Sequence, residues 1–227
     1  MVLIVEIVLA VAYGLLAHLA AAWRSDALSL AALLSLVALL LAAPLAARRG
    51  WAWLSLAPLV AAACWLYAAG HAGIPLLLVP VAFIGLIAWV FGRTLRAGRQ
   101  PLIGRIVGAL EGRPGEPLAP ELAAYTRALT AAWAWLLGLL ALFNLFLATI
   151  AVPDGLLASL GVAPPVSITR TQWSWFANLL NYGVVLGMFA GEYAYRARRF
   201  PGRYAGFGDF LRRMGALGPA FWRDLLR

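Results

Sequence analysis

Six carboxylate, imidazole or amide side chains interrupt long apolar stretches of this sequence and are its first candidates for chemistry. They are Glu6, His18, Asn144, Asn178, Asn181 and Glu192. Ionisable and amide groups are costly inside hydrocarbon, so they usually face a bundle interior or a cavity, where they hold helices together, bind ligands or relay protons. A carboxylate at Glu6 or Glu192 could serve as a proton site or a base. The amides could bind a headgroup or a carbonyl.

Helical spacing brings the three asparagines to one level of the membrane. At a rise of about 1.5 Å per residue, Asn144 lies roughly 12 Å from the outer end of its apolar stretch, and Asn178 and Asn181 lie roughly 8 and 12 Å from the outer end of theirs. Two interpretations stay open. The amides hydrogen-bond each other between helices, at about 0.6 kcal/mol per bond, or they line a polar pocket.

Glu192 falls on the same helical face as Asn178, since it follows that residue by about four turns. Arg196 comes one turn later, in the favourable order for an acidic and a basic residue on one helix, which predicts an ion pair. Glu6 is expected at a depth comparable to that of Glu192. The two carboxylates could form a proton site, but nothing in the sequence brings their helices together.

Six apolar stretches must position these side chains, and each approaches the roughly 20 residues that cross a bilayer as a helix. They span residues 3–23, 27–47, 51–69, 74–91, 129–152 and 173–193. The chain is 64% hydrophobic and 12% charged, whereas a soluble domain is about half apolar and about a quarter charged. The predicted fold is therefore all-α, a polytopic membrane protein with six transmembrane helices.

The distribution of arginine predicts the orientation of these helices. All 18 basic residues are arginine, and all but Arg24 and Arg170 fall in the second loop, the fourth loop or the C-terminal tail. The positive-inside rule then puts both termini in the cytoplasm and the linker 153–171 outside, in the inner membrane of a bacterium. Lipid and topology account for the net charge of +9, so nucleic acid is not an expected partner.

The predicted organisation is a single integral membrane domain, residues 1–227. Its parts are a four-helix scaffold (1–92), a basic cytoplasmic loop (93–128), the last two transmembrane helices (129–193) and a basic cytoplasmic tail (194–227). Apolar residues at helical spacing predict short interfacial helices in the fourth loop, from Leu102 to Leu110, and in the tail. Pro120 and Glu121 are suited to start the helix that leads into the fifth span.

The arginines beside the last spans are candidates for docking a soluble partner, the alternative being ordinary contact with lipid headgroups. They are Arg93, Arg96, Arg99, Arg105, Arg196, Arg198 and Arg199. Sequence motifs for phosphate binding, zinc hydrolysis and serine nucleophiles are absent, and the single Cys64 provides no metal cluster. The sequence therefore predicts no cofactor and no metal, and it argues against an enzyme without excluding one.

Two segments carry a family-like pattern. The first contains Phe91, Gly92, Thr94, Leu95, Pro101, Leu102, Ile103, Tyr125, Thr130 and Trp133. The second contains Trp173, Ser174, Phe176, Asn178, Asn181, Tyr182, Phe189, Glu192, Tyr193, Arg196, Phe200 and Pro201. Together they resemble a family of small bacterial membrane proteins found in gene clusters for aryl polyene and xanthomonadin-type pigments, over about half the chain. The resemblance implies an accessory role in making or moving a membrane-attached polyene lipid, and it supplies no catalytic residues.

Three functional hypotheses follow. The first is a membrane accessory protein that gathers acyl carrier protein or pigment biosynthesis enzymes at its basic face, because acyl carrier proteins are acidic. The second is a lipid carrier or flippase component, with the asparagines in contact with the polar end of the lipid. The third is a membrane acyl- or glycosyl-transferase, in which Glu192 or Glu6 would act as the base. Membrane lipid is an expected partner in each.

Overall fold

The computed structural model describes residues 2–96, 98–111, 116–153, 155–169, 172, 175, 181–199, 212, 215–218 and 221. The main helices are α1 (Val2–Trp23), α2 (Asp26–Ala46), α3 (Gly50–Ala68), α4 (Gly73–Arg93), α5 (Leu102–Leu110) and α6 (Pro120–Ile150). They are followed by β1 (Ala151–Val152), α7 (Leu156–Ser159), β2 (Ile168–Thr169) and α8 (Asn181–Arg199). The all-α prediction is confirmed for the described residues, apart from the two short strands.

Five of these helices, α1 to α4 and α6, are long and apolar enough to cross a membrane. The first four agree with the predicted spans to within two residues at each end. The fifth predicted span, 129–152, lies within α6 except for its last two residues, and α6 begins at Pro120, the residue that the sequence marks as suited to start this helix. The sixth predicted span is described from Asn181 onward, and its helix continues six residues beyond the predicted end. The predicted helix of the tail lies almost entirely outside the described residues.

The chain forms two compact units. The first contains Met1–Pro80 and Phe146–Arg170, and the second contains Val81–Leu145 and Thr171–Arg227. The boundaries fall within α4 and α6, so each of these helices contributes to both units.

Small side chains let the helices of the first unit approach closely. Its core includes Leu33, Ala63 and Ala72, against which Leu76 packs. Alanine at such contacts is typical of membrane helices, whose association depends on close packing rather than on expulsion of water. The turn before α2 is fixed by Ser25, whose hydroxyl accepts a hydrogen bond from the N–H of Leu28 (3.4 Å).

In the second unit α5 packs against α6 through glycine. Gly104 and Gly108 are buried, and a Cβ at Gly104 would meet Oγ1 of Thr126 at 3.1 Å. The first two N–H groups of α5 donate to threonine hydroxyls: that of Leu102 to Thr94, just beyond α4 (3.0 Å), and that of Ile103 to Thr130 on α6 (3.3 Å). These bonds satisfy donors that a helix start leaves free. The fourth loop is therefore folded onto α6.

The linker after α6 is also structured. Strands β1 and β2 pair in parallel, Ala151 with Ile168 and Val152 with Thr169. This pairing closes a loop that contains the single turn of helix α7. The sequence predicts only an outer linker in this region, because two-residue strands carry no periodicity that a sequence pattern can show.

Candidate functional site

Several side chains of the second unit meet along one seam between α6 and α8. Residues near the start of α6 contact the end of α8, and residues near the end of α6 contact its start. The two helices therefore run antiparallel. The contacts are Glu121 with Arg199, Tyr125 with Glu192 and Tyr195, Trp133 with Phe189, and Asn144 with Asn181. On α6 they belong to a stripe with spacings of three and four residues, which also buries Thr126, Thr130, Leu137 and Leu140.

Asn144 and Asn181 form a reciprocal amide pair. Nδ2 of Asn144 donates to Oδ1 of Asn181 (2.9 Å), and Nδ2 of Asn181 donates to Oδ1 of Asn144 (3.0 Å). Nδ2 of Asn144 also donates to the carbonyl of Leu140 (2.7 Å), and the side chain of Asn144 is buried. The expected meeting of these two amides is confirmed, whereas Asn178 lies outside the described residues.

Glu192 joins α6 to the arginine-rich end of α8. Its Oε1 accepts a hydrogen bond from the hydroxyl of Tyr125 (2.8 Å) and lies 3.1 Å from Nε of Arg196. The side chains of Glu192 and Arg196 are only 12% and 17% exposed. The predicted ion pair is confirmed, and it is a mostly buried one. Tyr125 also stacks on Tyr195, with ring centroids 5.8 Å apart, so one residue of α6 contacts α8 twice.

Aromatic side chains pack between these two polar levels. The indole of Trp133 is buried, with its ring centroid 4.7 Å from that of Phe189 on α8 and 6.4 Å from that of Phe91 on α4. Tilted aromatic pairs at such separations are favourable beyond the area that they bury. Trp133 therefore connects three helices of the second unit.

Two contacts bring the ends of α4 and α8 to the start of α6. Nη2 of Arg127 donates to the carbonyl of Leu95, just beyond α4 (2.6 Å), and Arg199 at the end of α8 pairs with Glu121. Glu121 and Arg127 are six residues apart, or about 9 Å along the helix axis. The two arginine groups that the sequence separates by about a hundred residues thus lie at one end of the second unit.

The candidate docking arginines differ in exposure at this end. Arg96, Arg99, Arg198 and Arg199 are exposed, and we call these four the arginine surface. The other three candidates, Arg93, Arg105 and Arg196, are partly or mostly buried. Arg93 stacks over the ring of Trp89, with its guanidinium carbon 5.0 Å from the ring centroid. Positive charge at the C-terminal ends of α4 and α8 also complements their helix dipoles.

The remaining ionisable candidates lie on α1. Glu6 is partly exposed there, within the first unit, whereas Glu192 belongs to the second unit. A proton site made of the two carboxylates therefore stays a hypothesis. His18 also lies on α1, and its side chain is exposed.

Sequence reasoning gave no structural role to Tyr125, Trp133, Thr126 or Thr130, although the structure shows all four in contacts between elements. Thr126 and Thr130 are fully buried. The signal that could have found them is their position on one face of α6, at the spacing that later includes Asn144. Hydroxyl groups at that spacing in an apolar helix point to contacts with another element.

We expect the Asn144→Leu substitution to lower the free energy of unfolding only modestly, by about 1 kcal/mol, because an interhelical amide bond in a membrane protein is worth roughly 0.6 kcal/mol. Unfolding of Asn144→Leu, Asn181→Leu and the double variant in mixed micelles would give the coupling energy of the pair. Strictly additive losses would contradict the reciprocal bonds.

Comparison with known proteins finds no family model, no curated protein and no solved structure that matches this chain.

Proposed function

We propose that the protein is an integral inner-membrane accessory protein, with both termini in the cytoplasm, that presents the arginine surface to an acidic soluble partner. The partner we favour is an acyl carrier protein, or an enzyme loaded with one, that works on a membrane-attached lipid of the aryl polyene type. One observation carries the proposal: the ends of α4 and α8 contact the same end of α6, so the exposed arginines beside them lie at one end of the second unit.

The folding of the second unit supports a docking role. The loop that carries Arg96 and Arg99 is held by hydrogen bonds of α5 to Thr94 and Thr130 and by that of Arg127 to Leu95. A preorganised loop loses less conformational freedom when a partner binds. Clustered positive charge also speeds the encounter with an acidic protein and rejects basic ones.

The contacts give less support to the alternatives. In a lipid carrier the asparagines would line a cavity, yet the amides of Asn144 and Asn181 bond each other. In a transferase Glu192 would act as a base, yet its Oε1 accepts a hydrogen bond from Tyr125 and pairs with Arg196. Both arrangements are those of groups that hold helices together.

Binding of an acidic acyl carrier protein to the purified protein in nanodiscs tests the proposal. The Arg96→Gln/Arg198→Gln variant removes one exposed charge from each arginine group, and we expect it to weaken binding roughly fivefold at low salt, since two exposed ion pairs are worth about 1 kcal/mol together. The difference should vanish near 1 M salt, where the screening length falls to about 3 Å.

The matched control is Arg48→Gln/Arg49→Gln, which removes the same charge from exposed positions between α2 and α3. If both variants weaken binding equally, the acidic protein is attracted by net charge alone, and the arginine surface is not a docking site. In a pigment-forming host, the first variant should also reduce pigment while insertion stays normal. Unchanged pigment would refute the link to polyene biosynthesis.

A further inference from the structure

The loop that β1 and β2 close is apolar on its outside. Between Asp154 and Arg170 the sequence has fifteen residues without an ionisable side chain. Four aliphatic side chains of this region are well exposed, namely Val152, Leu160, Val162 and Val166, at 38% to 62% of their full accessibility. Exposed aliphatic side chains that recur along one short segment without a charge are typical of a surface that contacts lipid or protein.

The first part of the same loop, from Gly155 to Val162, has backbone hydrogen bonds within the loop. The N–H of Leu160 donates to the carbonyls of Leu156 and Leu157, that of Gly161 to Ala158 and that of Val162 to Leu157. In addition, β1 pairs with β2, and the hydroxyl of Ser159 donates to the carbonyl of Gly155 (2.8 Å). Internal pairing of this kind lowers the cost of moving a backbone out of water.

The length of α6 indicates where this loop lies. Its last charged residue is Arg127, and the remaining helix to Ile150 is about 34 Å long, close to the roughly 30 Å of a hydrocarbon core. Strand β1 follows Ile150 directly. If Arg127 lies at one membrane surface, the loop therefore begins at the opposite one.

We propose that residues 155–166 form an apolar cap that lies in the lipid, at the boundary of headgroups and acyl chains where α6 ends. Leu160, Val162 and Val166 contact the acyl chains, while β1 and β2 hold the cap beside the helix. Lipid is the occupant because it surrounds the end of a membrane-spanning helix on every free side. This inference rests on the membrane insertion of α6, which is part of the proposed function.

Single cysteines carrying an environment-sensitive fluorophore test the cap. In a Cys64→Ala background, Leu160→Cys and Val166→Cys probe the loop, Leu142→Cys probes the exposed middle of α6, and Glu116→Cys probes water. The labelled proteins are reconstituted into vesicles of phosphatidylcholine and phosphatidylglycerol, with or without a quencher on the acyl chains. We expect blue-shifted emission and strong quenching at positions 160 and 166, and neither effect at 116.

Each other outcome has a distinct meaning. If the two loop positions behave like Glu116→Cys while Leu142→Cys is quenched, the cap is refuted and α6 still spans the membrane. If Leu142→Cys is also unquenched, membrane insertion itself fails, and with it the proposed function. A third outcome is blue-shifted emission at positions 160 and 166 without quenching by the lipid quencher. It would show that protein, such as a second copy of the chain, covers the loop, and it would overturn the assignment to lipid.

Discussion

The Glu192→Ala substitution is expected to lower the free energy of unfolding by about 3 kcal/mol. It removes the acceptor of Tyr125 and leaves the guanidinium of Arg196 without this carboxylate, in a place where its side chain is only 17% exposed. Removing one partner of a buried ion pair typically costs about 3 to 5 kcal/mol. The lower end applies here, because a long arginine side chain near a helix end can redirect its charge toward water.

Two comparisons separate this effect from a general loss of charge. Glu121→Ala removes the partner of Arg199, but both of these side chains are more than half exposed, so we expect a loss of at most about 1 kcal/mol. The double Glu192→Leu/Arg196→Leu variant removes both charges together and should recover most of the stability lost by the single change. Unfolding by SDS titration measures all three. If Glu192→Ala is no less stable than Glu121→Ala, the buried ion pair is contradicted.

Removal of the Trp133 indole should be about as damaging. Trp133→Ala leaves a cavity between Phe91 and Phe189, and aromatic-to-alanine changes in cores cost about 3 to 5 kcal/mol. We expect about 3 kcal/mol, because lipid is as apolar as the interior and the destabilisation comes mainly from poorer packing. Since the indole touches side chains of two other helices, the second unit should loosen as a whole.

Trp135 provides the matched control for this prediction. It lies two residues further along α6 and is 72% exposed, whereas Trp133 is 6% exposed. Trp135→Ala should change the free energy of unfolding by about 0.5 kcal/mol or less. The same SDS titration, together with protease sensitivity of the segment between α5 and α6, distinguishes the two. Similar destabilisation at both positions would contradict the orientation of α6 in the second unit.

The sequence predicted those features closely that depend on residues within one helix or one apolar stretch. The first four apolar stretches match α1 to α4, and the ion pair of Glu192 with Arg196 follows from spacing on one helix. The shared depth of Asn144 and Asn181 was also predictable, since the rise per residue gives the depth of each. Depth does not give the facing direction of a helix, which is why the contacts of Tyr125 with α8 were not predicted.

The start of α6 shows that an apolar stretch and the helix that contains it can begin at different residues. Hydropathy marks where a chain enters hydrocarbon, near residue 129, but the helix begins at Pro120, because backbone hydrogen bonding continues through the polar turns that contain Glu121 and Arg127. Those turns hold the residues that contact the ends of α4 and α8.

Three properties of this protein follow from the order of its residues alone: it is helical, its helices suit a bilayer, and its charge is concentrated in arginines between apolar stretches. Each of them depends on residues near one another in the chain. The folded chain was needed to show which arginines lie at one end of the second unit, which amide bonds to Asn144, and that Glu192 accepts a hydrogen bond from Tyr125. Those facts depend on how α6 and α8 are rotated and aligned. That alignment is set by side-chain packing between residues far apart in sequence, such as Trp133 against Phe189.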